Sequence, residues 1–459
     1  MTKKTKKIIG ICVGVFALLL LIALAITPFI LRATKDIASG SFFRDMGEAI
    51  DIDLSKKPKD LPAELSYLYD FQEVAKIDGY MAHPDSVLLP SGELLQMFPK
   101  GHGKGAVLTK ISTDGGLTYD KSLENTPKSW ENSNETPTVY KLNFKDGSIK
   151  FVMTSANPDW GNEGITEGGF NCTVSDDGKT WSEFELFWPK DQDGGVIPIV
   201  AMASLTQLKE NGEFVDKWMG FFHDKEFYNY KSILTFDENG KPQWSRPQKY
   251  FAEYRDIEKS TCMCEVEVIR SDMGKGDELC LITRSNSKLC NSMISFSDDE
   301  GETWSKPRPV PNTLNGERHK AEYTKDGRLC ISFRSINRDT ANSLWALIRY
   351  QRNRFYSEGP VLWVGTYDDL KNGTDGQYRI KLWHTYIDGQ KKPVRIANAD
   401  TGYCGNTVLD DDTVVISTYG KFSPDETFVN DKGDKTLKTY IASKRIRLDD
   451  IDKLAEILK

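Results

Sequence analysis

Histidine is scarce in this chain of 459 residues. The five copies, at 83, 102, 223, 319 and 384, show no ligand spacing, which excludes a zinc site built from a local motif. Cysteine is sparse and scattered. Cys172, Cys262, Cys264, Cys280, Cys290, Cys330 and Cys404 follow the N-terminal apolar run, and an odd set with open spacing is not a compact disulfide framework. Most read as small buried residues; Cys262 and Cys264 fall on one face of a strand, and Cys280 with Cys290 is the pair placed to bridge neighbouring strands. Helical periodicity is nearly missing: the clearest case is the C-terminus, where Leu448, Ile451, Leu454, Ile457 and Leu458 share one face. Basic excess is missing too. The first 35 residues hold six basic and no acidic groups, so the remainder carries −13 against −7 for the whole chain. That balance disfavours nucleic acid and other polyanions as partners, and an anionic ligand needs a local basic pocket. Gly101-His-Gly-Lys-Gly lacks the Gly-Lys-Ser/Thr ending and the helix of a phosphate loop.

What is present is a repeat. Tyr119, Trp181, Trp244 and Trp304 stand 62, 63 and 60 positions apart, each closing a turn-rich segment. Ser112-Thr-Asp-Gly-Gly-Leu-Thr-Tyr119 and Ser297-Asp-Asp-Glu-Gly-Glu-Thr-Trp304 are the full versions. Val174-Ser-Asp-Asp-Gly-Lys-Thr-Trp181 lacks the leading hydroxyl, and Asp237-Glu-Asn-Gly-Lys-Pro-Gln-Trp244 is degraded. Asp accepts bonds from backbone N–H groups just downstream and Gly adopts positive φ, so each segment predicts a tight hairpin with the aromatic packed beneath it. The spacing does not match a helix–loop–helix calcium site. Apolar runs such as Val87-Leu-Leu, Leu329-Cys-Ile-Ser-Phe and Thr413-Val-Val-Ile-Ser, bounded by Gly and Asp turns, predict antiparallel strands. Residues 70 to 442 hold about six units of this length, which predicts an all-β, six-bladed β-propeller.

The 24 residues Ile8–Leu31 carry no charge, long enough to cross a bilayer. Lys3, Lys4, Lys6 and Lys7 precede them, so the bulk of the chain is expected outside the cell membrane on a single-pass anchor. Cleavage after Ala23-Leu-Ala25 would make the protein secreted instead. The expected organisation is a basic tail and transmembrane helix over 1–32, a stalk over 33–68, and a propeller with a short C-terminal helix over 69–459.

The Ser-x-Asp-x-Gly-x-Thr-Trp signature resembles the Asp-box of the sialidase (neuraminidase) superfamily, over roughly residues 70–440. The resemblance implies a six-bladed propeller and a hydrolase that removes terminal sialic acid or a related sugar from glycans, with no cofactor or metal. It implies three arginines on the sugar carboxylate, a Tyr nucleophile activated by a Glu, and an Asp acid/base. A neutral Tyr suits an anomeric carbon that already bears a carboxylate, and the planar guanidinium suits that carboxylate. In Gly402-Tyr403-Cys-Gly-Asn, Tyr403 matches the nucleophile. In Cys264-Glu-Val-Glu-Val-Ile-Arg, Glu265 or Glu267 matches its base. Arg284, with Arg379 or Arg334, matches the clamp, and Arg318 stands near. Two pieces depart from the pattern. His83 stands where the first arginine is expected, and Phe98-Pro-Lys-Gly-His102 holds no acid, leaving Asp85 or His102 for the acid/base. Glu135-Thr-Pro-Thr, Asp159-Trp-Gly-Asn-Glu163 and Phe222-His223-Asp224 are further funnel-type segments, with Trp160 suited to stacking on a sugar. The alternative function is a glycan-binding propeller without turnover; a third is a protein-interaction propeller.

Overall fold

The computed structural model describes residues 5, 10–11, 13–25, 48–103, 105–158, 168–190, 196–287, 290–338, 355–357, 359–389 and 401–459. Six antiparallel sheets follow one another around an axis. Their innermost strands are Asp85–Leu88, Thr138–Asn143, Ser204–Glu210, Met263–Arg270, Gly316–Tyr323 and Cys404–Val408, defining blades 1 to 6. The inner strand of blade 6 lies against that of blade 1, so the ring is closed. Radial repetition of this kind leaves only the short, protected edges of the single blades.

The N-terminal segment fastens the ring. Gln72–Ala75 is the outer strand of blade 6, antiparallel to Tyr440–Ile446, and Ile50–Asp53 pairs in parallel with Tyr378–Lys381 at the edge of blade 5. The expected stalk boundary is therefore corrected. Ile52, Leu54, Leu65 and Leu68 are buried in the core between blades 5 and 6, so residues 50–68 belong to the propeller. Their apolar side chains have nowhere else to be buried. Within the N-terminal run, residues 13–25 are helical, and among the described residues no helix is long and apolar enough to cross a membrane; 26–32 lie outside them.

The core is divided into six clusters, one in each seam between adjacent blades. Tyr119 packs into the seam of blades 6 and 1, Trp181 into 1 and 2, Trp244 into 2 and 3, and Trp304 into 3 and 4. The period of about 62 is thus the period of the seams, and each buried aromatic contributes on the order of 4–6 kcal/mol of apolar burial. Trp363 fills the seam of blades 4 and 5 without any such turn. The turns hold the aromatics in place. Asp299 accepts from Thr303 N, Thr303 Oγ1 and Ser297 Oγ, and Asp114 does the same with Thr118 and Ser112. Burial raises the Asp114 carboxyl, but bonds from Thr118, Ser112 and Leu117 outweigh it and bring it to about 2. The segment ending at Trp181 does have its hydroxyl: Ser175, one residue later than expected, bonds Asp177 and Gly178 N.

The C-terminal helix Leu448–Leu458 buries Leu448, Ile451 and Leu454, as its period predicts, but Ile457 and Leu458, in its last turn, are exposed. The seven described cysteines are free, Cys280 and Cys290 included. Cys262 caps a helix in a left-handed conformation ahead of the strand, so it does not share a strand face with Cys264.

Candidate functional site

Several inner strands carry a left-handed residue at or near their start. His83 (φ 49°), Met202 (φ 47°), Glu265 (φ 47°), Arg318 (φ 56°) and Gly402 (φ 88°) belong to five different blades. In blades 4 and 5 the ladder slips at this point, between Cys264 and Glu267 and between Glu317 and Lys320. Such bulges re-aim a side chain, and strain of this kind clusters at functional sites. They also separate two residues that simple alternation puts on one face. Glu265 turns to the tyrosine of blade 6, while Glu267 Oε1 accepts Ala321 N of blade 5 at 2.9 Å.

Tyr403, Glu265 and Arg284 form the centre. Tyr403 Oη donates to Glu265 at 2.7 Å and accepts from Arg284 Nη1 at 2.6 Å. The same Nη1 lies 2.9 and 3.0 Å from the two Glu265 oxygens. Arg284 Nη2 reaches Asn286 at 2.8 Å and Glu317 at 3.2 Å. Arg334 holds Glu317 through Nε at 2.6 Å, and its guanidinium lies 5.1 Å from the Tyr403 ring centroid. Gly402 makes this approach possible: a Cβ there would sit 2.9 Å from Arg334 Cβ.

Burial raises the Glu265 carboxyl, but Arg284 and the Tyr403 hydroxyl outweigh it and hold it at about 2. Burial pushes Tyr403 well above the usual phenol range, against the pull of Arg284. The resting pair is therefore a carboxylate facing a neutral phenol. The His83 ring lies 4.7 Å from that of Tyr403 and 4.9 Å from that of His102. Burial, with help from His102 and three arginines, holds His83 well below the ordinary imidazole value. His102 is exposed on the loop after Leu94–Pro99, its Nδ1 2.7 Å from Tyr80 Oη. His83 Nδ1 lies 3.1 Å from Thr136 Oγ1, which in turn donates to Glu135 at 2.9 Å.

Other expected residues are placed elsewhere. Asp85 is buried and accepts Val139 N of blade 2 and its neighbour Ser86 N, both at 3.0 Å, with Lys320 Nζ at 3.6 Å. Like Glu267, it joins one inner strand to the next. Ser204 does the same without charge, accepting Val268 N. Burial raises the Glu267 carboxyl despite Lys320. Arg318 donates to Ala203 O at the entry of blade 3. Arg379 is a correction: it lies on Tyr378–Lys381, an outer strand of blade 5, and meets Asp51 at 3.3 Å instead of joining the tyrosine. Its position 24 residues before Tyr403 placed it near in sequence only. Phe222 belongs to the seam of blades 2 and 3, His223 stacks on Phe227, and Asp224 holds a turn. Asp159–Glu163, with Trp160, lies outside the described residues.

Glu317 is the residue that sequence reasoning missed. It adjoins Arg318, but nothing in the chain order links it to Arg284 or Arg334. A separate cleft of about 520 Å³, lined by Asp272, Glu278, Tyr323 and Asp368, shares no residue with this cluster.

No protein-family model and no curated protein matches the sequence. Solved structures do. A point mutant of NanB sialidase from Streptococcus pneumoniae is 12% identical over 83% of this chain and 71% of its own, with a TM-score of 0.50. The α-L-arabinofuranosidase Arb93A from Fusarium graminearum is 12% identical over 83% of this chain and 96% of its own, also at 0.50. The likeness is one of fold: this chain is a six-bladed β-propeller similar to those of glycoside hydrolases.

Proposed function

We propose that the chain is a glycoside hydrolase that removes a terminal sugar at the Tyr403–Glu265 pair. The observation that carries this reading is the 2.7 Å bond from Tyr403 Oη to Glu265, with Arg284 on both. As Tyr403 attacks the anomeric carbon, its proton passes to Glu265 and Arg284 stabilises the developing phenolate. The glycosidic C–O bond breaks, and the leaving oxygen takes a proton from His102. His102 is preferred to Asp85 because the Asp85 carboxylate is already bonded to Val139 N. Water then releases the sugar, returning the protons to Tyr403 and His102. Where the sugar bears no carboxylate, the pair serves in the other order, with Glu265 attacking and Tyr403 orienting it. The Asp-box signature favours sialic acid or a related sugar as substrate, provided that arginines beside Tyr403 are open to its carboxylate.

The charge-free run at 8–31 fixes the protein in the cell membrane with the propeller outside, an orientation supported by the lysines before it. Protease accessibility of the propeller on intact cells tests that placement. The test of function is release of monosaccharide from a pool of sialylated and neutral glycans by the full chain, beside Tyr403→Phe and Glu265→Gln. Release by the parent with loss in Glu265→Gln supports the reading. No release from any glycan refutes hydrolysis, and retention of glycan by the same protein would then identify a binding propeller.

A further inference from the structure

Glu317 is 1% exposed and shared by two guanidinium groups. Arg334 grips it through Nε at 2.6 Å and Nη2 at 2.5 Å, and Arg284 reaches it through Nη2 at 3.2 Å. The remaining Arg284 contacts are Glu265, Tyr403 and Asn286. A sugar carboxylate held by planar guanidinium forks next to Tyr403 would need the place that Glu317 already fills. To displace it would leave a buried carboxylate without its partners, a strongly unfavourable state.

The cations of the cluster already face carboxylates before any ligand arrives: Arg284 meets Glu265 and Glu317, Arg334 meets Glu317, and Lys320 meets Asp85. Burial holds His223 and His319 at about 4 and His83 well below its ordinary value, so these rings add no charge near neutrality. A site built for an anion needs an excess of cations, and the acidic balance of the chain beyond residue 35 supplies none from a distance.

We propose that Glu317 determines specificity by filling the Arg284–Arg334 pair from within, so that the sugar accepted carries no carboxylate on its anomeric carbon: a neutral pyranoside or furanoside. This rests on the hydrolase reading of the Tyr403–Glu265 pair and names its substrate class.

The experiment titrates the full chain, Glu317→Gln and Glu317→Asp with the didehydro analogue of N-acetylneuraminic acid, a ring sugar with a carboxylate at the anomeric position. The same three proteins are assayed on neutral nitrophenyl glycosides and on the matching sialoside. The expected result is hydrolysis of a neutral glycoside, no binding of the acid by the parent or by Glu317→Asp, and at least ~10-fold tighter binding of the acid by Glu317→Gln, about one unfavourable charge relieved. Binding of the acid by the parent, release of sialic acid by it, or no gain in a folded Glu317→Gln overturns the proposal. If Glu317→Gln does not fold, binding of the acid by the parent and Glu317→Asp decides alone. Failure to hydrolyse any glycoside rejects the hydrolase reading, while the titration still decides on Glu317.

Discussion

The Glu265→Gln substitution tests the electrostatics of the cluster directly. The folded carboxyl sits at about 2 against an ordinary 4.5, so its ionised form is favoured by ~3 kcal/mol. Removing one partner of a buried ion pair costs about 3–5 kcal/mol. Here the lower end applies, because Arg284 keeps Asn286 and Glu317. The sign follows from linkage: a depressed folded value stabilises above the unfolded one and is lost as the pH falls through the folded one. The parent should therefore exceed the variant by roughly 3 kcal/mol at pH 7, by about half of that at pH 3, and by almost nothing near pH 2. Urea unfolding followed by tryptophan fluorescence, at pH 7, 5, 3 and 2, measures that difference. A gap that stays constant with pH would show that Arg284 does not hold Glu265 ionised. Equal stability at pH 7 would show that the bonds among Glu265, Tyr403 and Arg284 do not form.

The remaining expectations concern the scaffold. Lys444 is buried, donates to Leu68 O at 2.8 Å, and is lowered by that burial to about 7. Its unfolded form binds more protons above that value, so the parent should gain roughly 2 kcal/mol over Lys444→Met between pH 7 and pH 9, read from paired unfolding curves. Trp304→Ala empties the seam of blades 3 and 4 and should cost about 3–5 kcal/mol, seen as a lower Tm. A chain begun at residue 80 loses Ile50–Asp53, the buried Ile52, Leu54, Leu65 and Leu68, and Gln72–Ala75, which uncovers the core between blades 5 and 6; light scattering should detect its association, and a monodisperse product would refute the fastening role of residues 50–75.

The repeat was legible because its parts are local. An Asp, a Gly and an aromatic within eight residues make the same turn wherever they occur, so their spacing reports the blades and their number. Tyr403 is named only through the resemblance carried by Gly402-Tyr403-Cys-Gly-Asn, and packing around the axis brings Glu265 and Arg284 to it. Residues 50–68 were not legible as part of the propeller, because the strand Ile50–Asp53 gains its partner only from Tyr378–Lys381, over three hundred positions later. Glu265 and Glu267 could not be separated by alternation, since a bulge between them depends on the ladder with the neighbouring strand. Arg379 and Arg334 sit in similar apolar strands, and only the place of each strand within blade 5 decides which one meets the tyrosine. Glu317 shows the limit most plainly. The chain order determined that a carboxylate precedes Arg318, but its meaning depends on two guanidinium groups from second strands of blades 4 and 5, and packing around the axis alone brings them together.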